Sequence, residues 1–91
     1  MNPVEIRTRI KQIIGSVAGL DPGRIGDDDH FQDDLSLDSL SLLEIGVDVD
    51  MAFQLGLPDE SYKAIDSLPG MVGLVLLRMA EIGAQPQLVV G

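Results

Sequence analysis

Ser39 and Ser67 are the residues of this 91-residue chain best suited to covalent chemistry, because each lies in an Asp-Ser-Leu tripeptide where an apolar helix pattern begins. A serine at a helix start can cap the helix, since its hydroxyl accepts a hydrogen bond from a free amide. It can equally be the point at which another group is attached. The elements that surround each serine have to distinguish these two interpretations.

Other reactive side chains give little support for catalysis or metal binding. The chain has no cysteine and one histidine, His30, and no serine lies in a Gly-x-Ser-x-Gly elbow. The aspartates between residues 27 and 34 resemble a calcium loop. However, a frame that begins at Asp27 places Phe31 and Gln32 where an oxygen ligand and a glycine are required. We therefore expect neither an enzyme nor a metal site.

Composition and charge restrict the class of protein and of partner. The length and the apolar content of 45% fit one folded domain. A net charge of −9 and few aromatic residues argue against nucleic acid. The longest apolar run, residues 71–77, is far shorter than the roughly 20 residues that cross a bilayer. Since the N-terminus does not resemble a secretory signal, we expect a cytoplasmic protein. We also expect a monomer.

Hydrophobic periodicity predicts an all-α fold, a four-helix bundle with a short third helix. Start and stop signals place the helices at about residues 2–18, 39–55, 59–65 and 67–82. The long connection over residues 20–38 is expected to be an ordered loop, held to the core by Leu20, Ile25, Phe31 and Leu35. A four-helix domain over residues 1–83 and a C-terminal tail over 84–91 complete the predicted organisation.

The second helix has two apolar stripes. At about 100° per residue, one side carries Leu42, Ile45, Val49 and Phe53, and the opposite side carries Leu40, Leu43, Val47 and Met51. Glu44 and Asp48 border the second stripe on one margin and Asp50 borders it on the other. Carboxylates are rarely buried unless they are paired, so we expect the second stripe to be exposed.

An exposed apolar stripe with acidic margins is typical of a docking surface for a basic partner. The charges would steer the encounter, and the apolar side chains would supply the contact area. Because salt screens exposed charges over about 8 Å, such docking would be transient and sensitive to salt. The alternative is that two neighbouring helices cover both stripes and that the acids face water.

The segment Phe-Gln-Asp-Asp-Leu-Ser-Leu-Asp-Ser-Leu at residues 31–40, with the acidic and aliphatic helix that follows, resembles the acyl carrier proteins. The likeness covers almost the whole chain. The resemblance implies a 4′-phosphopantetheine arm joined to Ser39 by a phosphodiester, with Asp38 and Leu40 completing the motif. A separate transferase would add the arm from coenzyme A. The thiol of the arm would carry acyl groups as thioesters, which fits a chain without cysteine.

The resemblance also implies partners and binding residues. The partners would be the phosphopantetheinyl transferase and acyl-processing enzymes, such as acyltransferases and ketosynthases, of fatty acid, polyketide or related biosynthesis. Their basic patches would dock on Leu40, Leu43, Glu44, Val47, Asp48, Asp50 and Met51, and on Asp59 and Glu60 before the third helix. A phosphodiester anion suits a helix N-terminus, where free amides and the helix dipole favour negative charge.

Ser67 is rejected as the attachment point. It is followed by Pro69 and an almost wholly apolar helix without acidic margins, so it is expected to cap that helix.

Two residues depart from the family pattern. Ser36 replaces a glycine that is usual two residues before the aspartate of the motif, which can alter the loop geometry or the choice of modifying transferase. Gly46 replaces an aliphatic residue on the second helix. It can leave room for an acyl chain in a cleft with Val49, Phe53 and Ile65, or it can allow close helix packing.

Two further interpretations stay open. The chain can be an aminoacyl or peptidyl carrier, although the aspartate before Ser39 and the acidic second helix favour acyl cargo. It can also be an unmodified four-helix adaptor that uses the same surface only for protein contact.

Overall fold

The structure is a computed structural model that describes residues 2–90, with side chains described for residues 2–83. Four α-helices follow one another: α1 Pro3–Ala18, α2 Ser39–Phe53, α3 Asp59–Lys63 and α4 Leu68–Val90. A short 3-10 turn, Pro22–Arg24, lies between α1 and α2. The predicted all-α fold is confirmed.

Helix α1 begins and ends where the sequence predicts. The Asn2 side chain accepts a hydrogen bond from the Glu5 amide at 2.8 Å, and Pro3 supplies the first helical residue. The helix ends at Gly19, whose φ of 71° is in the left-handed region that glycine adopts without strain. The apolar side of α1 faces the core: Ile6, Ile10 and Ile14 are completely buried, and Ile13 and Val17 are partly buried.

The core lies where α1 packs against α2 and α4, while α3 packs against α2. Its buried members are almost all aliphatic, with Phe31 and Tyr62 as the aromatic exceptions. Helix α3 is therefore an outer element that covers one side of α2. Within the described part of the chain, none of the helices is both long enough and apolar enough to cross a membrane.

The loop between α1 and α2 is ordered, as predicted, because backbone hydrogen bonds join it to the start of α4. The Phe31 amide donates to the Asp66 carbonyl at 2.8 Å, and the Leu68 amide donates to the Asp29 carbonyl at 2.9 Å. Phe31 is completely buried between these bonds. The loop therefore presents the start of α2 on a fixed base.

The residues that hold this loop differ partly from the prediction. Ile25 and Phe31 are buried and Leu35 is half-buried against the core, as expected. Leu20, in contrast, is exposed, so its expected role in the core is wrong. The buried position is taken by Leu37, directly before the cap of α2. Loop residues lack a helical period, so the sequence could not distinguish which leucines point inward.

Helix α4 extends beyond its predicted end near Ile82. The backbone remains helical through Gly83 and Pro86 to Val90. A glycine inside a helix costs only about 1 kcal/mol relative to alanine, so Gly83 is a weak stop signal. The side chains of residues 84–90, and Gly91, lie outside the described part of the chain. The division into a domain over 1–83 and a tail over 84–91 stays a prediction.

Candidate functional site

Asp38, and not Ser39, caps helix α2. Asp38 has extended backbone angles, and its Oδ1 accepts a hydrogen bond from the Ser41 amide at 2.8 Å. This hydrogen bond holds the pKa of the Asp38 carboxyl below its usual value. Ser39 is the first helical residue and is exposed. Capping is thus performed by the neighbouring residue, and the Ser39 hydroxyl remains accessible at the helix start.

The surroundings of Ser39 fit a phosphodiester-linked arm. The amides of Ser39 and Leu40 precede the first helical hydrogen bond, which joins the Leu42 amide to the Asp38 carbonyl at 3.0 Å. A phosphate on Ser39 would lie at the positive end of the α2 dipole. A cavity of about 420 Å³ opens directly beside Ser39. The residues present therefore suit the group that the resemblance implies.

The second Asp-Ser-Leu tripeptide has a different geometry. The Ser67 hydroxyl accepts a hydrogen bond from the Gly70 amide at 3.2 Å, and the residue is only partly exposed. Its backbone also pairs with His30 in an isolated antiparallel bridge. Ser67 therefore caps α4, as predicted.

The two stripes of α2 have opposite environments. Ile45 and Val49 are completely buried, with Leu42 and Phe53 packed partly buried beside them. The opposite stripe is exposed: Leu40 by 66%, Leu43 by 41%, Val47 by 39% and Met51 by 69%. The alternative in which neighbouring helices cover both stripes is wrong, because α3 lies against only one side of α2. We call the exposed set Leu40, Leu43, Val47 and Met51 the α2 stripe.

Acidic residues border the α2 stripe largely as predicted. Glu44 and Asp48 are exposed beside it, and Asp59 and Glu60 are exposed at the start of α3.

Asp50 differs from the prediction that it lines this margin. It is only partly exposed, and its Oδ1 accepts hydrogen bonds from the Tyr62 hydroxyl at 2.7 Å and from the Leu57 amide at 2.9 Å. This carboxylate joins α2 to α3 and to the segment between them. The sequence around Asp50 could not indicate that its hydrogen-bond partner, Tyr62, lies twelve residues further along the chain.

Gly46 serves close helix packing, and the room expected there for an acyl chain is filled. A Cβ atom at Gly46 would lie 2.9 Å from Tyr62 Cβ and 3.0 Å from Tyr62 Cγ. Such distances are shorter than carbon atoms tolerate, so only glycine allows the ring this close. The sequence signal for this close packing is the combination of a small residue on α2, Gly46, with a large residue on α3, Tyr62.

The cavity beside Ser39 has a lining that differs from the predicted acyl cleft. Its walls are formed by Gln32, Ser39, Leu42, Leu43, Asp59, Tyr62, Lys63 and Ile65. Of the predicted cleft residues, Ile65 is part of this lining and Gly46, Val49 and Phe53 are not. Val49 is completely buried in the core, and Phe53 lies further along α2. The available space is therefore near the first turns of α2.

Ser36 adopts a left-handed backbone conformation with φ of 54°. Its amide donates to the Gln32 carbonyl at 3.1 Å, and the next amide, that of Leu37, donates to the Phe31 carbonyl at 2.9 Å. A left-handed conformation favours glycine, which gives a physical reason for the glycine that the family usually has here. The serine keeps the turn at some cost in strain.

Comparison with known proteins identifies relatives of this chain. The family model of the phosphopantetheine attachment site matches residues 8–75. An acyl carrier protein of Rhodococcus erythropolis is 32% identical over 77 residues, which cover 85% of each chain. A meromycolate extension acyl carrier protein of Mycobacterium tuberculosis is 34% identical over 71 residues, which cover 78% of this chain and 62% of that protein.

A solved structure supports the fold. The apo doublet acyl carrier protein from prodigiosin biosynthesis matches 85% of this chain with a TM-score of 0.74. The sequence identity is 22%, and the match spans 38% of that longer chain, so the likeness concerns the fold alone. With the family model matching most of the chain and relatives above 30% identity, the chain belongs to the acyl carrier proteins, phosphopantetheine-bearing carriers that are not themselves enzymes.

Proposed function

We propose that this chain holds acyl intermediates as thioesters on a 4′-phosphopantetheine arm attached to Ser39 and presents them to acyl-processing biosynthetic enzymes. The observation that carries the proposal is the exposure of Ser39 at the start of α2, where Asp38 has taken over the capping role. The arm supplies the thiol that forms the thioester, since the chain contains no cysteine.

The chain itself contributes position and electrostatics. The first amides of α2 and the helix dipole would stabilise a phosphodiester anion on Ser39. The hydrogen bond from the Ser41 amide to Asp38 directs that carboxylate toward the helix backbone. The ordered loop, held to α4 by the bonds of Phe31 and Leu68, keeps the helix start in place. The chain therefore offers a fixed base for an attached arm.

Docking is proposed on the α2 stripe with its acidic border. The stripe supplies apolar contact area, and Glu44, Asp48, Asp59 and Glu60 would attract basic patches on the partners. The partners include the phosphopantetheinyl transferase and enzymes such as acyltransferases and ketosynthases. The net charge of −9 favours fast encounter with basic surfaces at low salt. Leu40 would be the contact nearest to the modified serine.

Intact-mass measurement after incubation with a phosphopantetheinyl transferase and coenzyme A tests the attachment. The wild-type chain is expected to gain the mass of one phosphopantetheine group. Ser39→Ala is expected to gain none, and Ser67→Ala, which removes the second serine of the same tripeptide, is expected to gain it normally. Modification of Ser39→Ala would overturn the assignment of the site.

The same measurement addresses the alternatives. Persistent absence of the mass increment with several transferases would favour the unmodified adaptor. Identification of an amino acid on the arm in the native host would favour the aminoacyl or peptidyl carrier. The monomeric state and the cytoplasmic location expected from the sequence stay predictions.

A further inference from the structure

Tyr62 forms a wall of the cavity beside Ser39. The cavity begins at Ser39 and continues along Leu42 and Leu43, one turn further on α2. Tyr62 and Ile65 line it from the side of α3 and the segment that follows. The Tyr62 ring lies against Gly46, which is one turn beyond Leu42 and Leu43. The ring therefore occupies the space between α2 and α3 just where the cavity would continue toward the core.

Two contacts hold the ring in this position. The backbone of Gly46 approaches the base of the ring so closely that no Cβ atom would fit between them. At the other end of the side chain, the Tyr62 hydroxyl donates a hydrogen bond of 2.7 Å to Asp50 Oδ1. Tyr62 is 7% exposed, so the ring is part of the packed interior. Displacement of the whole side chain to another χ1 rotamer would break a partly buried hydrogen bond and leave a cavity.

The protonation state of Tyr62 supports this anchoring. Burial and the neighbouring Asp50 carboxylate raise the pKa of the Tyr62 hydroxyl well above its usual value. The hydroxyl therefore stays a hydrogen-bond donor at physiological pH. Val49 and Phe53, which lie further along α2 than Gly46, do not line the cavity.

The position of the ring sets the depth of the cavity. With a helical rise of about 1.5 Å per residue, Gly46 lies roughly 10 Å along α2 from Ser39. An extended alkyl chain advances about 1.2 Å per bond, so a linear acyl group of about eight carbon atoms would span this distance when the thioester of the arm lies at the cavity mouth beside Ser39. Leu42, Leu43 and Ile65 give the cavity apolar walls, while Gln32, Asp59 and Lys63 are its polar lining residues.

We infer that Tyr62, packed on Gly46 and tied to Asp50, is the residue that limits this carrier to sheltering short acyl chains, with longer chains left partly in water. The inference rests on the proposed function, because the acyl group reaches the cavity on the arm of Ser39. It assigns Tyr62 a role in cargo selection. Gly46 takes part as the residue that lets the ring enter, and it does not line the cavity.

Cleavage of the thioester by hydroxylamine tests this limit. Butyryl, octanoyl, dodecanoyl and hexadecanoyl forms of the modified protein are compared, each with the same acyl group on free pantetheine as reference. In the wild-type protein, protection should increase about fourfold for each further methylene that becomes buried, and should stop increasing at about octanoyl. In Tyr62→Ala and Tyr62→Leu, protection should continue to increase through dodecanoyl.

Tyr62→Phe is the matched control, because it keeps the ring and removes only the hydroxyl. It should retain the wild-type limit. Circular dichroism checks that each variant is folded. If Tyr62→Ala does not fold, Tyr62→Leu tests the length limit in its place. A wild-type protection that increases undiminished to hexadecanoyl, or that is absent at every length, overturns the inference, as does an unchanged limit in Tyr62→Leu.

Failure of the proposed function would be seen separately. Intact mass shows before any cleavage experiment whether Ser39 carries the arm. A chain that never accepts the arm overturns the carrier proposal, whereas a loaded chain with the wrong length dependence overturns only the role of Tyr62.

Discussion

The Tyr62 hydroxyl donates a hydrogen bond of 2.7 Å to Asp50 Oδ1, and this bond joins the short helix α3 to α2. The same oxygen accepts a hydrogen bond from the Leu57 amide at 2.9 Å, so one carboxylate oxygen binds both α3 and the segment between the two helices. Helix α3 has five residues, and its N-cap residue, Pro58, provides no side-chain hydrogen bond to the helix. A helix this short is not stable alone, so its position depends on such tertiary bonds.

Replacement of Asp50 should therefore destabilise the fold. Asp50→Ala leaves the Tyr62 hydroxyl and the Leu57 amide without their acceptor, and we expect a loss of about 2 to 3 kcal/mol in the free energy of unfolding. Urea denaturation measures this loss. Asp48→Ala, two residues away and exposed, is the control and should change the stability by less than about 0.5 kcal/mol. Equal losses in both variants would contradict a specific role for Asp50.

Replacement of two helical glycines by alanine should change the stability of the protein in opposite directions. Gly46→Ala places a Cβ atom 2.9 Å from Tyr62 Cβ, and we expect a loss of about 1 to 3 kcal/mol from overpacking despite the better helix propensity. Around Gly73, a Cβ atom would meet nothing within 4 Å, so Gly73→Ala should raise the stability by up to about 1 kcal/mol. Thermal unfolding of the two variants measures both effects, and a stabilising Gly46→Ala would contradict the packing described here.

The cap of α2 should make stability depend on pH. The hydrogen bond from the Ser41 amide lowers the pKa of Asp38 in the folded state below the ordinary value of 3.8. Its stabilising effect is therefore complete above that value and is lost as the pH falls through the folded pKa. Urea unfolding of wild type and Asp38→Ala should show a stability difference that is constant near neutral pH and narrows below about pH 3.8. A difference that widens in acid would have the wrong sign.

The acidic border of the α2 stripe should influence the rate of modification by the transferase. Glu44→Gln and Asp48→Asn are each expected to lower kcat/KM by roughly two- to fivefold at low salt, with a smaller difference at high salt. Steady-state kinetics at several salt concentrations measure the effect. Glu81→Gln removes the same charge from an exposed position on α4 and is the control. An equal loss in the control would indicate that only net charge matters.

Much of the fold and of the site could be predicted from local sequence. The start of α1 at Asn2, the two faces of α2 and the capping role of Ser67 were predicted correctly, because each depends on neighbouring residues or on a helical period. The attachment role of Ser39 follows from the resemblance of its surrounding segment to the acyl carrier proteins, since a serine at a helix start is by itself more often a cap. Local sequence could not predict which residue caps α2, since Asp38 and Ser39 are both good capping residues and only the backbone geometry distinguishes them.

The sequence by itself determined the number and order of the four helices, the exposed α2 stripe and the family, since these follow from motifs and periods along the chain, whereas the ends of α2, α3 and α4 differ from the predicted ones. Only the tertiary structure decided that Asp50 binds Tyr62, that the Tyr62 ring packs on Gly46 and that this ring lines the cavity beside Ser39. The physical reason is that these contacts join residues 12 to 16 positions apart across two helices. Their geometry depends on how the helices pack, and the hydrophobic periodicity of each helix does not specify that packing.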